Sequence, residues 1–235
     1  MTAKTIIQYL RSAGKPENVA GMARYGIVSV RAFGVPLPVI RSLAKQIGIK
    51  HTLAQQLWAS GIYDARLLAI FIEDPTRVTN RQMETWARDF DNWAICDGCC
   101  IHLFRKTNYA YKKAITWSAR RPEFVKRAGF TLMATLAVHE KEASDVVFTN
   151  FLRIVHRESR DERNGVKKAV NWALRQIGKR NTSLNKIAIE ISHDIRNIDS
   201  SAARWIATDA LRELRSSKVQ SRLQTITLKK QKAFR

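Results

Sequence analysis

Glycine and proline are scarce: ten glycines and five prolines punctuate 235 residues. No segment keeps strict apolar–polar alternation long enough to read as a strand, so sheet-based architectures are excluded. Cysteine is scarcer. Cys96, Cys99 and Cys100 are the only three and fall within five positions of one another, so they cannot staple distant parts of a chain and no disulfide framework exists. Carboxylates are in short supply, with 20 Asp plus Glu against 41 Lys plus Arg and a formal net charge of +21. That excess repels itself unless it meets a polyanion, nucleic acid first and an anionic membrane surface second. Long apolar runs are missing too. The opening "MTAKTIIQYLRSAGKPENVAG" has no apolar leader core, and no window approaches the ~20 apolar residues of a spanning helix. These absences predict a soluble, cytoplasmic protein with no membrane span; a monomer that engages nucleic acid rather than a membrane is expected.

What is present is helical periodicity. Apolar residues recur at spacings of three and four, as in "FVKRAGFTLMATLAV" and "AARWIATDALREL", and predict thirteen helices from 3–12 to 200–216, among them 17–32, 92–104, 163–179 and 200–216. Shorter and longer helices alternate, which suggests hairpins. Aligning the second helix of each places Arg41, Arg66, Asp97, Arg127, Lys168 and Arg204 at equivalent positions, with successive spacings of 25, 31, 30, 41 and 36 residues. The expected fold is all-α: a superhelical solenoid of helical hairpin repeats whose second helices line a concave basic wall. The expected domains are a repeat domain over 1–216 and a flexible basic tail over 217–235, which carries six basic residues and no acidic one.

Asp97 is then one carboxylate in a row of five cations. It lies in "DNWAICDGCCIHLF", whose C-x-x-C invites a metal reading. Four-ligand zinc chemistry needs a second ligand pair that the chain does not supply, and the apolar setting favours cysteines that fill a helical core. Trp93 stands four residues before Asp97, so indole and carboxylate share one helix face, a combination suited to a flat cation. In "VKKAVNWALRQIGKR", Trp172, Arg175 and Lys179 fall at i, i+3 and i+7, an aromatic among phosphate-seeking cations. Trp58, Trp86, Trp117 and Trp205 read as core.

"PENVAGMARYGI", "FGVPLPVIRSLAK", "WAICD", "VKRAGF" and "VKKAVNWALRQIGK", in this order over residues 15–215, resemble the AlkD-like family of DNA alkylation repair glycosylases. The chain departs from that pattern at Gly26, after "MARY", and at Pro36 and Pro38. The resemblance implies HEAT-like repeats and a monofunctional enzyme that hydrolyses the N-glycosidic bond of cationic N3- and N7-alkylated purines in duplex DNA, without extruding the base. It implies Asp97 as catalytic carboxylate, Trp93 and Trp172 as aromatic walls, Tyr25 as an aromatic near the lesion, Arg127 as a backbone-phosphate contact, and Arg175 and Lys179 as phosphate clamps; the repeat alignment adds Lys168 to the cations facing DNA. Its partner would be DNA at the nucleoid, and no metal, iron–sulfur cluster or other cofactor is implied. The alternative is a nucleic-acid-binding repeat protein without catalysis, for which the cationic track suffices.

Overall fold

The computed structural model describes residues 1–27, 29 and 31–233, with side chains described as far as residue 228. Among the described residues there are fourteen α-helices, one short 3-10 turn and no strand, as the periodicity requires. No described helix is long and apolar enough to cross a membrane. Several helix starts are set by side-chain caps: the Thr2 and Thr5 hydroxyls form a reciprocal capping box for the first helix, and Thr79, Asn92, Asn181 and Ser200 each accept the backbone N–H three residues on.

The chain forms two compact units, Met1–Ala110 and Tyr111–Arg235. The first contains α1 (Ala3–Ser12), α2 (Pro16–Arg24), α3 (Leu37–Ile47), α4 (His51–Ala59), α5 (Tyr63–Ile72), α6 (Asn80–Arg88) and α7 (Trp93–His102), then the 3-10 turn Phe104–Lys106. Here α5 packs against both α3 and α7, with α4 also against α5. Its core holds Trp58 and Trp86, stacked with ring centroids 3.9 Å apart and planes 2° from parallel. A buried carboxylate ties three segments together: Glu73 accepts from His51 Nδ1 at 2.6 Å, Gln55 Nε2 at 2.7 Å and Gln82 Nε2 at 2.8 Å. Buried Asp64 likewise accepts the backbone N–H of Phe33 at 2.6 Å and of Val35 at 2.8 Å, holding the loop before α3.

The second unit contains α8 (Ala110–Ser118), which begins at the boundary, α9 (Glu123–His139), α10 (Asp145–Glu158), α11 (Asn164–Gly178), α12 (Thr182–Arg196), α13 (Ser201–Leu214) and α14 (Ser217–Ala233). Helix α11 lies between α9 and α13 and also touches α10 and α12. Close approach at the start of this unit needs Gly129, where a Cβ would lie 2.5 Å from the Ser118 nitrogen. The second helices of successive hairpins are therefore α3, α5 and α7 in one unit and α9, α11 and α13 in the other, the helices that carry the six aligned positions.

Three expectations are corrected. The helix expected over 17–32 stops at Arg24, because Tyr25 caps it and Gly26 takes φ of 72°, a left-handed turn that an α-helix cannot pass through; positions 28 and 30 lie outside the described residues. Trp205, expected in the core, is 41% exposed. The expected flexible tail is instead helical over Ser217–Ala233, because Val219 and Leu223, four residues apart, give it an apolar edge, 7% and 2% exposed, that packs on α12 and α13. Gln220 Nε2 reinforces the seat by donating to the Leu214 carbonyl at 2.6 Å and Asn185 Oδ1 at 3.1 Å.

Removing residues 217–235 takes this edge away, so the truncated protein loses roughly 3 kcal/mol of stability, read as a lower melting temperature; an unchanged melt would show that α14 contributes nothing to the fold. A second measurement concerns the clip between α9 and the end of α10. Lys126 Nζ reaches Glu158 at 2.7 Å and Asp161 at 2.8 Å, and Arg163 adds a 2.6 Å pair to Asp161. Burial alone would raise the Asp161 carboxyl, but hydrogen bonds from Arg163 and Lys126 outweigh it and bring it from 3.8 down to about 2. A carboxyl depressed on folding stabilises above its unfolded value and stops doing so as pH falls through its folded value. Stability is therefore lost between pH 3.8 and about 2, and Lys126→Met flattens that acid limb while costing about 2 kcal/mol at neutral pH, as followed by helical circular dichroism.

Candidate DNA-facing site

In the first unit, α7 begins where buried Asn92 caps it, Oδ1 accepting from the Ile95 N–H at 3.0 Å. Trp93 is thereby the first helical residue, and it is 38% exposed. The indole is pinned: Nε1 donates to the backbone carbonyl of Tyr25 at 2.9 Å. Tyr25, at the end of α2, leaves its own side chain 75% exposed. One turn beyond Trp93 on α7 stands Asp97, half-buried. Cys96, Cys99 and Cys100 form no disulfide and have no exposed surface; burial, then the neighbouring Cys96 and Glu73, raises the Cys99 thiol well above its ordinary range, which suits filler rather than a nucleophile. So the first unit brings together an exposed tyrosine, a fixed indole and a carboxylate.

In the second unit, α11 carries Lys168, exposed, and Trp172, half-buried, one turn apart. Arg175 and Lys179 continue the stripe but are engaged: Lys179 Nζ meets Glu213 Oε1 at 2.5 Å, Arg175 Nη1 pairs with Glu213 Oε2, and Arg175 Nε lies 3.6 Å from Asp209. Burial would raise the Glu213 carboxyl, but the hydrogen bonds from Lys179 and Arg175 prevail and lower it. Arg127 is 8% exposed, and its Nη1 donates to the Gly165 carbonyl at 2.6 Å, joining α9 to the first turn of α11.

The aligned positions are thus not presented alike. Arg41, Lys168 and Arg204 are exposed, whereas Arg66 stands 5.1 Å over the Trp58 ring and pairs with Asp89, and Arg127 turns inward. The carboxylates Asp209 and Glu213 escaped sequence reasoning. Their four-residue spacing in "DALREL" puts them on one face of α13, but only packing shows that the face meets Arg175 and Lys179. Any phosphate contact by that pair has to compete with Glu213. Glu213→Gln therefore tightens binding to undamaged duplex and steepens its salt dependence, the slope of log K against log salt becoming more negative by about 0.9 for each cation released. Fluorescence anisotropy over a salt series reads this, and an unchanged slope would leave Arg175 and Lys179 as structural ion pairs.

No curated protein matches the chain. Among solved structures, a member of a family of proteins related to the HEAT-like repeat DNA glycosylases, with affinity for branched DNA structures, is similar over 90% of this chain and 95% of its own, with a TM-score of 0.75 and 23% sequence identity. The hairpin stacking of each unit is that of the HEAT-like repeat fold. The model of the DNA alkylation repair enzyme family matches residues 6–214, and the chain belongs to that family.

Proposed function

We propose that this DNA repair enzyme is a monofunctional glycosylase, which hydrolyses the N-glycosidic bond of cationic N3- and N7-alkylated purines in duplex DNA. The observation that carries the reading is the first turn of α7: an exposed indole, fixed through Nε1 to the Tyr25 carbonyl, one turn ahead of the half-buried carboxylate of Asp97. Alkylation gives the purine a formal positive charge, so the base leaves as a neutral molecule and needs no proton from the enzyme. The C1′–N bond breaks with its electron pair going to the base. The positive charge passes to the sugar, and water adds at C1′ with loss of a proton, leaving an abasic site. Asp97 opposes the charge on the sugar and positions the water; Trp93 holds the cationic base by cation–π contact, and Tyr25 borders the lesion, while Trp172 offers an aromatic surface among the cations of α11. Lys168 takes phosphate, joined by Arg175 and Lys179 when they leave Glu213. Arg127 acts on this face by fixing the first turn of α11. At ~4 Å and an effective dielectric near 20, a carboxylate opposing a unit charge is worth about 4 kcal/mol before desolvation, or up to roughly three decades of rate.

The second reading, binding without excision, is favoured by the affinity of the structural relative for branched DNA. The two separate on one measurement, release of free 7-methylguanine from methylated duplex under single turnover. Asp97→Asn keeps shape but removes charge, so excision slows by about one to three decades while affinity for undamaged DNA holds or rises. Rate and affinity then move in opposite directions, as expected of a group that acts in the transition state. An Asp97→Asn variant as fast as the native chain would remove Asp97 from the mechanism, and a native chain that releases no base would leave the binding protein as the better reading.

A further inference from the structure

Helix α13 is buried through Ala202, Ala203, Ile206, Ala207, Ala210 and their successors, a stripe that is complete without Trp205. Trp205 lies off that stripe with 41% of its surface in solvent, an exposure that core packing does not explain. Its neighbours are cations. Asn171 of α11, itself buried, donates from Nδ2 to the Ile206 carbonyl at 3.2 Å and so sets the register between α11 and α13. One turn before Asn171, Lys167 places Nζ over the Trp205 ring, 5.3 Å from its centroid. Lys168, next along, is exposed, and so is Arg204, whose guanidinium pairs at 3.1 Å with Asp199, a carboxylate that is itself fully in solvent. The other nearby carboxylates are engaged: Glu162 with the Ser200 and Ser201 hydroxyls and the Ala202 N–H at the start of α13, and Asp209, one turn on from Trp205, with Arg175 and Arg212.

An exposed indole amid three cations on adjoining helices matches the way proteins hold a nucleic-acid strand: the ring stacks on a base while the cations take the flanking phosphates. A base inside a duplex has both faces covered by its neighbours, whereas an unpaired base can turn a face to the ring. We propose that Trp205 is a stacking platform for an unpaired nucleotide adjoining duplex DNA, as at an overhang, flap or branch point, with Lys167, Lys168 and Arg204 on its phosphates. The site would let the protein recognise strand ends and junctions with residues separate from Trp93 and Asp97. It rests on DNA being the partner and not on base excision.

The test compares binding of the full-length chain to a blunt duplex and to the same duplex with a short single-stranded overhang, at equal salt, for the native protein, Trp205→Leu and Trp205→Phe. Leucine keeps apolar bulk at the position but has no π face; phenylalanine restores one. The native chain prefers the overhang. Trp205→Leu loses about fivefold or more of its affinity for the overhang, the size of one base stack, while blunt-duplex binding changes less than twofold; Trp205→Phe recovers most of the loss, and excision from a fully paired duplex keeps its native rate in both. Equal losses on both DNAs, no loss at all, or a Phe variant no better than Leu would overturn the inference, and so would a native chain that binds the two DNAs alike, which leaves the DNA partner intact. A native chain that binds neither would instead take down the DNA reading itself.

Discussion

Helix α11 sits against α9, α10, α12 and α13 at once, and most of what the second unit can present follows from that confinement. Its buried positions leave a narrow strip with Lys168, Trp172, Arg175 and Lys179 along it. Both ends are tied: the Gly165 carbonyl to Arg127 at 2.6 Å, the Gly165 N–H to Glu123 at 3.2 Å, and the Gly178 carbonyl to Asn185 at 2.9 Å. A helix gripped along its length and at its ends cannot roll, so its strip is organised before any ligand arrives, and ordering costs at binding are correspondingly small.

Scarcity of carboxylates has an architectural counterpart. Asp64 and Glu73 are spent inside the first unit, Glu158 and Asp161 on Lys126, Glu162 on the start of α13, and Asp209 and Glu213 on Arg175 and Lys179. These seven acids serve as fasteners, and with 20 Asp plus Glu against 41 Lys plus Arg the cationic surplus has no matching set of acids. Asp97 is the carboxylate that stands one turn from the exposed indole of Trp93.

Spacing made much of this legible. The 3.6-residue period marks thirteen of the fourteen helices, the weak repeat puts the aligned positions on alternate helices, and the four-residue interval from Trp93 to Asp97 survives because an α-helix converts it into one face. Orientation about the helix axis was less accessible: Arg66 and Arg127 occupy the same register as Lys168, yet Trp58 and the Gly165 carbonyl draw them inward. Trp205 was misjudged because hydrophobicity alone sends an indole to the core, whereas the small residues of α13 already complete its seat. For α14, the basic, polar composition concealed the spacing of Val219 and Leu223, and nothing in the residue types at 17–32 outweighs helix propensity except Gly26.

The bond from Trp93 to position 25 goes to a backbone carbonyl and not to the tyrosine ring. The main chain there is shaped by the left-handed Gly26 that follows, so the tether belongs to the turn and tolerates any side chain the turn can carry. Position 25 is in consequence a tunable one: a saturation library at that codon would vary the surface beside the indole, from bulky to small or from neutral to charged, without unseating the indole. Position 26 is its opposite, a codon that the backbone closes to almost everything but glycine.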